Sequence, residues 1–207
     1  MFFIYKIFKL NYLYQDLEPY IDTHTMGLHY LKHTMGYLDK LNELLIKNNF
    51  NYTYKIKELF FHIEEFPYED RENILFNLGG FLNHYIYFNS ISKNKIGPSE
   101  YLLKAIVSKY GTYENLLQEI KTSALKLKGS GYVFLELLAS GEITVINRRN
   151  QDNSLFHGNI PLICIDMWEH AYYLNYKNNK LQYLDNIYFI LDFSRANKIY
   201  ENYIKTK

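Results

Sequence analysis

Leu28, Leu31, Met35, Leu38, Leu41 and Leu45 follow one another at steps of three and four. That period puts them on one face of a helix. It predicts a long helix from Asp16 to about Asn48, bent near Gly27 or Gly36 and ended by Asn48-Asn49. Residues 1–15 ahead of it read as extended or irregular. A short helical piece spans about Ile56–Glu64 and stops at Phe66-Pro67. A second long helix runs from Asn73 to about Ser90, with Ile74, Phe76, Leu78, Phe81, Leu82, Tyr85 and Phe88 apolar. Ser92–Pro98 is rich in turn residues and marks a boundary. Beyond it Ser99 opens a helix that Gly111 ends, and Thr112 caps another reaching about Leu127. The period then changes to two. Tyr132–Leu138 and Glu142–Asn147 form a hairpin around Ser140-Gly141, Arg148–Ser154 is a polar loop, and Pro161–Ile165 is a buried strand. Helices follow from Trp168, over Gln182–Ile190 and over Ser194–Ile204. The expected class is α+β: an antiparallel long-helix hairpin over 1–94, then helices on a three-stranded antiparallel sheet over 95–207.

Composition narrows function more than fold. The 207 residues carry a net charge of +1, which offers no bulk attraction to nucleic acid or an anionic membrane. No apolar run approaches membrane-spanning length. Met1–Leu10 is apolar but interrupted by Lys6 and Lys9, without the shape of a secretory signal, so a soluble cytoplasmic protein is expected. Cys164, the single cysteine, lies in an apolar run and reads as a core residue ahead of a reactive thiol.

Three stretches carry candidate chemistry. Asp166 and His170 are four apart, one helical turn if the segment is helical, and follow an apolar strand. On their own they read first as a solvated helix pair or a satisfied core histidine, and second as two metal ligands. His29, His33 and Tyr37 form a polar stripe along the first helix, read as a solvated edge or as part of a site. His84 follows Gly79-Gly80, and two glycines inside a helix imply the close approach of another group. His29, His84, Asp166 and His170 together would suit a first-row transition ion such as Mn, Fe or Zn. Spacing alone does not choose these four among seven histidines.

Leu17–Asp22, Leu28–His33 with Tyr37, Gly79–His84, Gly129-Ser-Gly131, Asn150–Asn153 and Asp166–Tyr176 together resemble the iron/manganese superoxide dismutase family. The Asp-x-Trp-Glu-His-Ala-Tyr-Tyr stretch is the most specific. The resemblance implies metal ligation by His29, His84, Asp166 and His170, with one Mn or Fe ion per subunit between the two domains. It implies disproportionation of superoxide, with protons, to dioxygen and hydrogen peroxide. Tyr37 matches the gateway tyrosine, His33 the histidine beside it, and Gln151 the glutamine that tunes the metal centre in the manganese-type or metal-tolerant branch. Gly80 stands where iron-type members carry that glutamine, and is expected to leave room for the Gln151 amide. Trp168 walls the site. Glu169 and Tyr173 match residues that bridge to a second subunit, Glu169 towards His170 of the partner subunit and Tyr173 towards His33 of the partner subunit. A homodimer, or a tetramer, is thus implied, with no nucleic-acid or membrane partner. Lys32 and Lys180 are candidates for steering the anion.

The departures are specific. Tyr30 and Thr34 replace histidines. Phe88, Tyr132 and Phe134 stand at positions usually held by tryptophan, and Tyr132 is expected to donate its hydroxyl to Gln151. Lys180-Leu-Gln-Tyr183 replaces an Arg-Pro-Asp-Tyr run, and lysine lacks arginine's planar fork. These substitutions keep open a non-enzymatic interaction protein on the same fold; retained ligands argue against it. A zinc hydrolase is a third reading.

Overall fold

The computed structural model describes residues 5–206. Its first half holds α1 (Thr23–Leu28), a π-helical turn (His29–Thr34), α2 (Met35–Lys47), a 3-10 segment (Ile56–Glu65) and α3 (Tyr68–Phe88). The second half holds α4 (Glu100–Tyr110), α5 (Tyr113–Lys126), β1 (Gly131–Leu137), β2 (Ile143–Arg149), β3 (Ile160–Asp166), α6 (Glu169–Tyr176), α7 (Lys180–Ile187) and α8 (Ser194–Lys205). The α+β class and the three-stranded antiparallel sheet are as the pattern predicts.

The first helix starts later than the apolar pattern predicts. Asp22 stops it on the N-terminal side, its carboxylate accepting the Thr25 N–H at 2.7 Å; Tyr14–Leu17 is a separate 3-10 turn. The helix is also irregular where no glycine stands. From His29 to Thr34 it widens to a π turn, and the Thr34 hydroxyl donates to the His29 carbonyl at 2.9 Å. Such turns insert one extra residue and re-aim side chains. The second long helix begins earlier than predicted, at Tyr68, because Pro67 serves as its N-cap and Glu69 and Asp70 complement its N-terminal dipole.

Strand order is β2-β1-β3. The central β1 is buried along its whole length, and β3 tolerates Pro161 because it is an edge strand. Arg148 and Arg149, predicted to lie in a loop, extend β2 and pair with Tyr132 and Gly131. α3 packs on α2 on one side and β3 on the other, so one helix links the hairpin to the sheet. Two apolar clusters result. Leu38, Leu41, Leu45, Ile74 and Leu78 fill the hairpin. Phe88, Phe134, Ile163, Tyr183 and Phe193 belong to the larger cluster around the sheet, which also contains Cys164. Burial raises the Cys164 thiol well above its ordinary pKa, in keeping with an inert core residue. No helix among the described residues is long and apolar enough to cross a membrane.

Candidate metal centre

Four elements converge between the two halves. The π turn presents His29, α3 presents His84, β3 ends in Asp166, and α6 carries His170 in its first turn. One ligand atom from each lies within 4.8 Å of the others. Asp166 and His170 meet here, but not across one helical face. The strand ends at Asp166, Trp168 N-caps α6, and the intervening turn folds His170 back. The Trp168 N–H donates to Asp166 Oδ1 at 2.8 Å. That leaves Oδ2 facing His29 Nε2 at 3.2 Å and His170 Nε2 at 3.3 Å.

The donor set fits a metal ion. Histidine ligands are oriented by what the second ring nitrogen donates to. His84 Nδ1 lies 2.6 Å from the Gly80 carbonyl, which has no hydrogen to give, so Nδ1 carries the proton and Nε2 keeps its lone pair. That Nε2 is buried and meets no hydrogen-bond partner among the described residues. A buried polar atom left in this way is costly unless a ligand satisfies it. Burial lowers the His29 pKa to about 4 and lowers that of His84 well below the usual imidazole range. Both rings are therefore neutral and able to ligate at pH 7. Burial alone would raise Asp166, but His170 and His29 outweigh it and hold the carboxyl below its ordinary value. Three imidazoles and one carboxylate form a borderline donor set.

Around these four, the tyrosine and glutamine of the sequence reading form a chain. Tyr132 donates to Gln151 Oε1 at 2.9 Å, and Gln151 Nε2 donates to the Tyr37 hydroxyl at 2.8 Å. Burial, with the Asp166 charge nearby, raises Tyr37 to about 12, so it keeps its proton at neutral pH. At Gly80 the first obstacle to a Cβ is the Tyr37 ring, at 2.5 Å, whose hydroxyl in turn accepts from the Gln151 amide. It is Gly79 whose Cβ would meet the Gln151 carbonyl, at 1.9 Å.

His33 is exposed and stacks on His170, with ring centroids 4.1 Å apart. Trp168 also stacks on His170, with ring centroids 5.7 Å apart. Phe88 packs on His29 at 4.9 Å, whereas Phe134 lies behind Tyr132, at 6.1 Å from that ring. Glu169 and Tyr173 point outward from α6 and are exposed in the single chain. Lys32 is exposed on the π turn, and Lys180 lies over the Tyr172 ring at 5.9 Å. Tyr30 turns its hydroxyl to the Phe8 carbonyl.

Several supporting residues escape the sequence reading. Tyr183 donates to the Asp166 carbonyl at 3.0 Å, and Tyr87 lies over the His29 ring at 5.1 Å. Asn83 is fully buried and holds the Gln151 loop, donating to the Asp152 carbonyl at 3.1 Å. Its signal was a polar residue beside His84, too common to single out. Glu136 is buried in β1 and pairs with Arg148; a glutamate inside an apolar strand was the available cue.

Comparison with known proteins agrees with this geometry. Residues 4–92 match the iron/manganese superoxide dismutase α-hairpin domain, and residues 98–199 the C-terminal domain of the same family. The chain is 33% identical over 198 residues to a superoxide dismutase (Mn) of Listeria innocua, covering 95% of this chain and 98% of that one. It is 34% identical over 201 residues to that of Thermus aquaticus, covering 95% and 97%. It is 33% identical over 204 residues to superoxide dismutase (Mn) 2 of Bacillus anthracis, covering 98% of each.

Proposed function

This chain belongs to the iron/manganese superoxide dismutase family and is an oxidoreductase acting on superoxide, and we propose that His29, His84, Asp166 and His170 hold its single Mn or Fe ion. The convergence of four buried or half-buried ligand atoms on one point carries this reading. When bound, the ion supplies a one-electron couple, so that two superoxide anions and two protons become dioxygen and hydrogen peroxide; zinc, being redox-inactive, supplies none.

The chain's own residues do the rest. Asp166 brings the negative charge that favours the higher oxidation state, and the Trp168 N–H and Tyr183 hydroxyl hold its carboxylate and backbone in place. Gln151 reaches the centre with its amide orientation set at both ends, Tyr132 donating to its oxygen and Tyr37 accepting from its nitrogen. Tyr37 keeps a proton on its hydroxyl and stands at the mouth of the site with His33. Lys32 and Lys180 add local positive charge for an anionic substrate, which a net charge of +1 does not provide. Manganese is the favoured metal, because the matched relatives carry it in their names and Gln151 comes from the C-terminal half with Gly80 in α3.

On the same reading, residues 1–94 form a hairpin domain and 95–207 a sheet domain. Two copies of the chain assemble through α6, Glu169 pairing with His170 of the partner subunit and Tyr173 with His33 of the partner subunit. The compartment is the cytoplasm. A non-enzymatic role is not favoured, since a scaffold has no use for the ligand set. The test is metal analysis of the purified protein with a superoxide-removal assay. Stoichiometric Mn or Fe with activity supports the proposal; no activity after loading with either metal overturns it.

A further inference from the structure

Glu136 lies in the middle of β1, with apolar neighbours on both sides in sequence and no exposed side-chain surface. An ionised carboxylate in such a place requires compensation. It receives three hydrogen bonds. Arg148 approaches with its planar fork, Nε to Oε1 and Nη2 to Oε2, both at 2.9 Å, and Asn159 Nδ2 adds a third at 2.7 Å to Oε2. The fork leaves Nη1 free, and it lies 3.6 Å from Asp152 Oδ2. Asp152 also accepts from His157, at 2.9 Å.

Asp152 follows Gln151 directly. The short segment they share is therefore gripped from two sides. On one side Arg148 holds the Asp152 side chain to the sheet. On the other, Asn83 of α3 donates to the Asp152 carbonyl at 3.1 Å and accepts from Asn153 at 2.6 Å. Next to them, Asn150 adopts a left-handed backbone with φ 50° and accepts from the Trp168 indole at 3.2 Å. A loop with a left-handed asparagine and no regular ladder of its own would otherwise be mobile.

We propose that Glu136 and Arg148 are positioning residues for Gln151: a buried pair that fixes the guanidinium so that it clamps Asp152 and thereby sets where the Gln151 amide stands between Tyr132 and Tyr37. The inference rests on the reading of Gln151 given above. A pair serving only to staple β1 to β2 would not need the contact to Asp152, and changes to it would loosen the strands, not the loop.

The distinction is measurable on the metal-loaded full chain. Arg148→Lys keeps a positive charge beside Glu136 but cannot fork to it and reach Asp152 as well. The double variant Glu136→Leu with Arg148→Leu removes both charges together, which a buried pair tolerates far better than loss of one partner. Hydrogen exchange read by mass spectrometry is expected to rise about tenfold in residues 149–156 of both variants and to stay unchanged in 131–137, as for a local opening. The reduction potential of the bound ion is expected to move in the same direction as in Gln151→Ala. Unchanged exchange in 149–156 in both variants, or an unmoved potential while Gln151→Ala moves it, overturns the proposal. A Gln151→Ala protein with parental potential overturns the assignment of Gln151 instead, and the exchange measurement still decides whether the clamp exists.

Discussion

A fully buried imidazole resists protonation, and that makes the site its own acid sensor when metal is removed. His29 is held neutral by burial, at about 4 against an ordinary 6.5. Between those values the unfolded chain takes up a proton that the folded chain refuses, so stability rises with pH across the window and falls as acid is added. For His29 the loss on going from pH 6.5 to 4 is on the order of 3 kcal/mol. Urea unfolding of the metal-free protein should show this slope, and His29→Gln should reduce it, His84 supplying the remainder; an unchanged slope would mean that His29 does not contribute to it. Asp166 and Gln151 separate ligation from tuning. Asp166→Ala removes the one carboxylate that the described residues bring to the ligand cluster and should abolish metal retention, read as metal per chain after dialysis. Gln151→Ala should retain the metal and slow turnover by roughly tenfold to a hundredfold, the usual cost of removing a group that supports a metal centre. Parental turnover without the amide would show that Gln151 is misassigned.

At the scale of elements, α3 carries the sharpest test. Alanine is a better helix former than glycine by about 1 kcal/mol, so steric contacts decide the sign at Gly79 and Gly80. At Gly80 the obstacle is the Tyr37 ring, a side chain that can shift; at Gly79 it is the Gln151 backbone carbonyl, which cannot shift without moving the loop. Gly80→Ala should cost about 1–3 kcal/mol and displace Tyr37. Gly79→Ala should cost more and impair Gln151 directly, with thermal unfolding and turnover as the two readings. A stabilised Gly79→Ala protein would sink the argument. The sequence announced a close approach by placing two glycines before His84, but it did not say what approached, because the partners, Tyr37 and Gln151, come from elements remote in the chain. The same limit separates what the pattern revealed from what it hid. Helix and strand periods are local, so the hairpin, the sheet and its antiparallel order could be read from residues a few positions apart. The π turn could not: the apolar steps continue through Leu31 and Met35 unchanged, and the irregularity depends on the Thr34 hydroxyl finding the His29 carbonyl. Nor could spacing choose the ligands. His29, His84 and Asp166 meet through the packing of α3 between α2 and β3, and only the resemblance of motifs across the whole chain selected them.

For the whole molecule, the surface left around the site is the informative feature. Tyr173 is 46% exposed, Glu169 and His33 are exposed, and all three stand around the half-buried His170. One chain thus keeps its four ligands buried or half-buried but leaves their outer neighbours, His33, Glu169 and Tyr173, on a solvent-facing surface formed by α6 and the π turn. A second copy placed on that face would bury these side chains and cover both sites at once, with each surface serving the other in the self-complementary manner of a two-fold dimer. Glu169 is the residue to test, because its carboxylate is exposed at the start of α6 beside His170. Glu169→Ala should therefore leave the fold of one chain intact while weakening association, seen as a dissociation constant raised at least about tenfold in sedimentation equilibrium, as expected when one charge-assisted contact is lost. Metal retention should then fall with protein concentration, since separation exposes His170 to water. If two copies associate as proposed and bury Glu169 against the partner's His170, raising the salt concentration should weaken that association only slightly, because buried pairs are little screened. A Glu169→Ala protein that associates as tightly as the parent at every concentration would place the interface elsewhere and leave the exposed face of α6 to solvent.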